Sequence, residues 1–156
     1  MIIEKATDSD IEIIFNLQKV AYQSEARRYN DYTLPPLVQT FEEIQADFKR
    51  QTVLKAVDSG KITGSVRAYM ADGTCFIGRL IVDPDYWSQG IGTGLMKHIE
   101  NLFSNAGRFE LFTGHKSEEA LHIYKKLGYS VFKSEKLKTH TLIYLEKIKR
   151  PAASEC

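Results

Sequence analysis

The residues best suited to chemistry in this chain are Gln89, Gly90, Gly92 and Gly94, in the run Trp87-Ser88-Gln89-Gly90-Ile91-Gly92-Thr93-Gly94-Leu95. They follow an apolar stretch, Phe76 to Val82, that Asp83-Pro84 stops, and they open directly into an amphipathic pattern. The pattern predicts a buried strand, a turn and a glycine-rich loop at a helix N-terminus. Such a terminus is an anion site, because its first N–H groups lack intrahelical acceptors and the helix dipole favours negative charge. Glycine removes the side chains that would keep a phosphate off the main chain. A Walker loop does not fit, since Gly94 is followed by Leu95 and Met96 where Lys and Ser or Thr are needed. A dinucleotide fingerprint needs glycines spaced one and then two residues apart, and here each gap is one residue.

A second constellation lies downstream, in Ser117-Glu118-Glu119-Ala120-Leu121-His122-Ile123-Tyr124-Lys125-Lys126-Leu127-Gly128-Tyr129. It reads as a short helix carrying a tyrosine and stopped by Gly128. Gln-x-x-Gly-x-Gly followed, across room for one helix and one strand, by tyrosine and Leu-Gly-aromatic resembles the two core motifs of the GCN5-related N-acetyltransferase (GNAT) superfamily. The resemblance runs from about Ile2 to Lys147 and is strongest between Phe76 and Tyr129.

That resemblance implies an acetyl-CoA-dependent N-acetyltransferase that passes the acetyl group directly to a primary amine of a small molecule, or of a peptide or protein. It implies acetyl-CoA as donor and no metal. Two parallel strands splay apart and the pantetheine arm lies between them, so Leu80, Ile81 and Val82 would run beside it. The Val82 N–H would meet the thioester carbonyl. The main chain of Gln89, Gly90, Ile91, Gly92, Thr93 and Gly94 would hold the pyrophosphate. Ser117 stands where many members carry Asn to reach the pantetheine, and Tyr124 would face the CoA sulfur and protonate the departing thiolate. Histone-modifying members place a glutamate base where this chain has Gly78. Arg79 beside it cannot replace that base, because a guanidinium stays protonated.

The base must therefore come from elsewhere. The segment after the first helix covers the acceptor pocket in the superfamily, which brings in Glu25, Tyr29, Asp31 and Tyr32, with Glu25 the first choice. Aromatic faces beside carboxylates suit a cationic amine. Arg27 and Arg28 together with Arg79 suit a carboxylate instead, as in an amino acid. His98, His115, His122 and His140 read as structural or exposed. Cys75 lies upstream of Val82, which disfavours an acyl-carrier role. Two other readings are an acyl-CoA-binding regulatory domain without strong catalysis, motivated by Gly78 and Ser117, and a nucleotide-binding protein, which the glycine spacing disfavours.

The elements that must position these residues are legible from periodicity. Ile2 to Lys5 is a short strand, and Asp8 caps a helix with Ile11, Ile14, Phe15, Leu17, Val20 and Ala21 at helical spacing. A loop is expected from Glu25 to Gln39, then a helix opened by the capping box Thr40 and Glu43 and ending near Arg50. Thr52–Asp58, Lys61–Ala71 and Thr74–Val82 are strands joined by Asp58-Ser59-Gly60 and Asp72-Gly73 turns. The central helix is expected to stop at Gly107. Phe109–Thr113 is a strand, Glu118–Leu127 a helix, and strands near Ser130–Leu137 and Thr139–Lys147 close the chain. The order implies an α/β fold: one mixed sheet of six to seven strands flanked by about four helices.

Bulk properties agree with a single domain over residues 1–148 and a loose tail over 149–156. The 156 residues carry a formal net charge of +1, which leaves no electrostatic footprint for nucleic acid or an anionic membrane. Two cysteines, Cys75 and Cys156, make no disulfide framework. With no secretory signal pattern or membrane-length apolar run, the expectation is a cytoplasmic enzyme. A small-molecule amine is its expected partner, and pairing of two copies through the final strands is a further option.

Overall fold

The computed structural model describes residues 1–149. Its elements are β1 (Ile2–Lys5), α1 (Ile11–Ala21), α2 (Gln23–Tyr29), α3 (Pro35–Val38), α4 (Phe41–Arg50), β2 (Thr52–Asp58), β3 (Lys61–Ala71), β4 (Thr74–Val82), α5 (Ile91–Leu102), β5 (Arg108–Gly114), α6 (Glu118–Lys126), β6 (Ser130–Lys136) and β7 (Thr141–Ile148). The strands form one sheet in the order β1-β2-β3-β4-β5-β7-β6. Only β4 and β5 run parallel; every other neighbouring pair is antiparallel. The α/β class and the mixed seven-stranded sheet match the sequence expectation.

Local chemistry explains the hairpins. The β2–β3 and β3–β4 turns hold Ser59 and Gly60, then Asp72 and Gly73, at φ near +50° and +80°. Paired left-handed residues twist a two-residue turn in the sense that the strands require. Thr40 accepts the Glu43 N–H at 3.1 Å and Glu43 accepts the Thr40 N–H at 2.8 Å, the expected capping box of α4.

Four local expectations are corrected. Asp8 does not cap α1: a 3-10 turn over Asp8–Asp10 precedes the helix, and it is Asp10 that accepts the Thr7 N–H at 2.8 Å. Residues 25–39 are not a loop, because α2 runs to Tyr29, Asn30 ends it at φ 49°, and the short α3 begins at Pro35. The helices therefore outnumber the four or so expected. α5 ends at Leu102, five residues before Gly107, where Phe103 leaves helical geometry (φ −107°, ψ 40°). Gly107 instead ties strand ends together, donating to Gly73 and accepting from Lys149, both at 2.9 Å. Lys149, placed in the loose tail by the sequence reading, is thus hydrogen-bonded to the sheet; the rest of that tail lies outside the described residues.

Two apolar clusters hold the layers. Ile11, Ile14 and Leu17 of α1 and Ile44 of α4 pack on Val53, Ile62 and Ile81. Leu95, Met96 and Ile99 of α5 pack on Leu54, Val66, Ala68, Cys75 and Ile77, with Tyr124 and Tyr129 joining. No helix among the described residues is long and apolar enough to cross a membrane.

Gly64 fixes how close α5 comes to the sheet. A Cβ there would sit 2.9 Å from the Ile81 carbonyl oxygen, 3.0 Å from Ile91 Cγ2 and 3.1 Å from Leu95 Cδ1. Gly64→Ala should therefore cost about 1–3 kcal/mol through overpacking. Denaturant unfolding would read this as a lower midpoint with an unchanged slope. An unchanged midpoint would mean that α5 rides further from β3 than described.

Candidate active site

The pairing of β4 with β5 covers only Thr74↔Arg108, Cys75↔Phe109 and Phe76↔Glu110. Beyond Phe76 the strands part, β4 staying with β3 and β5 with β7. Asp83 donates its N–H to Thr63 at 2.8 Å, flanking the Gly64↔Val82 pair. Because main-chain groups alternate sides along a strand, the Val82 N–H points into the gap. Its carbonyl faces the same way and accepts the Trp87 indole N–H at 3.2 Å. By the same alternation the Ile81 main chain faces β3, while its side chain is buried with α1 and α4. Of the expected trio, Ile81 thus turns its main chain to β3 and its side chain to the helices, while Leu80 and Val82 border the gap.

The glycine-rich loop opens α5 as expected. Asp83 caps a 3-10 turn over Pro84–Tyr86 by accepting the Asp85 N–H at 2.9 Å. Ser88 and Gly90 then adopt left-handed backbone at φ 64° and 80°. The first N–H to turn back is that of Gly94, which donates to Gly90 at 2.9 Å. The N–H groups of Ile91, Gly92 and Thr93 precede the ladder and lack helical acceptors. The Gly94 N–H is committed to the helix, and its bare flank meets Ile3 Cδ1 at 3.1 Å and Met1 Cε at 3.4 Å. Its missing side chain seats α5 on β1. The bare flank of Gly92 faces Ile123, Leu80 and Val82 at 3.2–3.9 Å, where loop, strand end and α6 converge. Gln89 is exposed and Thr93 half-buried.

On the far side of the gap Tyr124 of α6 is buried. The hydroxyls of Tyr29, Tyr129 and Tyr144 are all hydrogen-bonded, whereas that of Tyr124 has no partner among the described residues. Burial, reinforced by Tyr22 and Glu25, pushes its pKa well up, so the phenol stays protonated. Cys75 is buried and its thiol is pushed up to about 12, which keeps it protonated and inert.

Glu25 and Tyr29 are brought together by Ser117. The buried Ser117 hydroxyl donates to Glu25 Oε2 at 3.1 Å, so at 2.8 Å from Tyr29 it accepts that tyrosine's proton. Tyr29 in turn accepts the Lys116 N–H at 2.8 Å. Gly114 makes the seat for Tyr29, since a Cβ there would lie 2.2 Å from its hydroxyl oxygen. Ser117, expected to reach the donor, is thus already engaged by α2. Asp31 is also spent: it accepts from Thr33 and, at 2.6 Å, from Thr139, and these bonds hold its carboxyl at about 2. Asp31 ties two loops and offers no free carboxylate to an acceptor. Tyr32 is 55% exposed. Arg79 sits in a β-bulge at φ 52°, beside Tyr22. The residue types around Tyr22 and Arg67 were not singled out from sequence. Arg67 had one usable signal, a lone charge in the small and apolar run Ile62–Met70.

Burial raises the Glu25 pKa from its ordinary 4.5, against the opposing pull of Arg28 and Ser117. Folding then favours the protonated form, so this group's contribution to stability falls as pH rises from the ordinary carboxylate range through the raised native value. The melting temperature of Glu25→Gln relative to the parent should rise with pH across that window and level off above it. A difference that falls with pH would mean that Arg28 controls the site.

The chain has counterparts among known proteins. A model of the acetyltransferase (GNAT) family matches residues 11–129. Among solved structures the chain is similar to the ribosomal-protein-S18-alanine N-acetyltransferase from Escherichia coli, with TM-score 0.82 and 15% identity over 99% of this chain and 97% of that one. It is also similar to the PaiA N-acetyltransferase from Thermoplasma acidophilum in complex with coenzyme A (TM-score 0.78, 16% identity, 96% and 100% covered). A third counterpart is the aminoglycoside 6'-N-acetyltransferase from Enterococcus faecium (TM-score 0.72, 18% identity, 97% and 99% covered). With the strand gap, the open helix N-terminus and both core motifs in one domain, the chain belongs to the acetyltransferase (GNAT) family and uses acetyl-CoA as its donor.

Proposed function

We propose that this enzyme transfers the acetyl group directly to a primary amine of a small molecule, with no acyl-enzyme intermediate. The observation that carries this reading is the unpaired Val82 N–H in the gap, across which Tyr124 holds an unused hydroxyl. The free N–H groups of Ile91, Gly92 and Thr93 suit the donor's pyrophosphate. Val82 would then steady the negative charge that builds on the thioester oxygen as the amine attacks, a contact worth about 3 kcal/mol.

Proton bookkeeping assigns the remaining roles. An amine with pKa near ~10 arrives protonated and must lose a proton before its nitrogen can bond to the carbonyl carbon. Glu25 accepts that proton, its raised pKa bringing it toward the working range. As the carbon–sulfur bond breaks, Tyr124 donates a hydrogen bond to the leaving thiolate. Because the phenol is the weaker acid of the two, it stabilises the thiolate rather than surrendering its proton outright, and the second proton, lost from the nitrogen as the amide forms, ends on the sulfur to give free CoA thiol. The closure of α2 and α3 over this side, bolted by Tyr29 and Asp31, favours a compact acceptor.

Calorimetry with acetyl-CoA, followed by thiol release with polyamines, amino acids and aminoglycosides, tests the reading. Binding with amine-stimulated release is expected. Tyr124→Phe should keep acetyl-CoA affinity and lower kcat roughly 10- to 100-fold, the value of a hydrogen bond to a charged group. Gly92→Val should weaken donor binding. Tight binding with no release from any amine would refute the transferase reading in favour of a regulatory acyl-CoA-binding domain.

A further inference from the structure

Arg67 is 3% exposed, and a charge buried that deeply needs its donors satisfied. Its Nη2 donates to two neutral oxygens, Gln18 Oε1 at 2.9 Å and Gln39 Oε1 at 3.3 Å. Its Nη1 is buried without a hydrogen bond. The Asp47 carboxylate lies 3.4 Å from Nη1 without hydrogen-bond alignment, and the same Asp47 oxygen already accepts from Gln39 at 2.7 Å. One guanidinium edge is left over.

What lies beside it is open space and a second cation. Arg67 pairs with Gly78 across β3 and β4, so both face the same side of the sheet. A Cβ built on Gly78 would meet nothing within 4 Å. The next residue, Arg79, takes part in no ion pair among the described residues. Its left-handed φ of 52° is strained for a residue with a side chain, a kind of outlier that gathers at ligand sites. Burial and the charge of Arg79 together hold the Arg67 guanidinium down to about 10. Asp47 faces Arg67 and Glu43 lies within electrostatic reach of Arg79, yet neither carboxylate hydrogen-bonds a guanidinium, and Gly78 leaves the space beside Arg67 empty.

We propose that Arg67 and Arg79 form an anion subsite and that the amine acetylated here carries a carboxylate. The inference rests on the transferase reading above and names its acceptor class. The donor does not supply this anion: its phosphates belong at residues 91–93, and the pantetheine between is uncharged. The unbonded Nη1 edge of Arg67 matches a carboxylate, whose planar oxygens suit a guanidinium edge. The alternative trio of Arg27, Arg28 and Arg79 does not assemble, since Arg28 is held by Glu119 at 2.9 Å and Arg27 is exposed.

The test is a set of matched acceptors: free amino acids, their carboxamides, the corresponding decarboxylated amines, and carboxamides with an acidic side chain. Rates of thiol release should be at least tenfold higher, as kcat/KM, for members with a carboxylate. The last group separates a main-chain carboxylate from a side-chain one. Arg79→Asn, which tolerates the left-handed backbone, should raise KM for the carboxylate acceptor about tenfold or more and erase the preference. Arg79→Lys should restore part of it. Carboxamides and plain amines that react as well as the acids would overturn the inference and leave the transferase standing. No release from any acceptor would overturn both.

Discussion

The early parting of β4 and β5 is the constraint on which the rest of the molecule depends. Parallel neighbours with three paired positions and then none leave a row of main-chain donors and acceptors without a strand partner. A polar backbone in a domain interior must be satisfied by something. Here the sheet keeps the two strands apart by holding each from its outer side. β3 pairs along β4 past the bulge to Val82, and β7 pairs along all of β5. The helix that crosses between them, α5, is pressed close by the missing side chain of Gly64. The wedge is therefore built into the sheet's register and does not wait for a ligand to open it.

A second tie joins α2 to the segment that opens α6. α2 is only seven residues long, too short to persist on propensity alone. It is held by Tyr29, which reaches 88 residues along the chain to Ser117 and sits on the bare flank of Gly114. Glu25 joins through the same serine. The hydroxyl that the resemblance assigned to the donor is thereby engaged by α2, and it couples the Glu25 carboxylate to the N-terminus of the helix that carries Tyr124.

What could be read from the sequence was what local physics decides. Alternation and turn chemistry mark β2, β3 and β4 and their hairpins, because a left-handed pair at Ser59-Gly60 or Asp72-Gly73 needs no distant partner. The glycine loop and the Leu-Gly-aromatic ending are likewise local. The misread features are settled by residues far away. α2 depends on Gly114 and Ser117, Asp31 on Thr139, and the role of Gly94 on Ile3. Arg67 sits in an ordinary-looking strand, and its burial becomes evident only when α1, α4 and the Gln39 segment close over it. Strand alternation sorts the trio Leu80, Ile81 and Val82, since successive residues of one strand turn their main-chain groups to opposite sides.

The indole of Trp87 lies over the mouth of the wedge, half exposed and bonded to the Val82 carbonyl. It is the sole tryptophan in the sequence. Any molecule that lies along β4 as a surrogate strand competes with the indole for that carbonyl and moves the ring into a different solvent shell. The protein thus carries a built-in optical probe beside the gap between β4 and β5, and its ultraviolet emission would follow occupancy of that gap without a label.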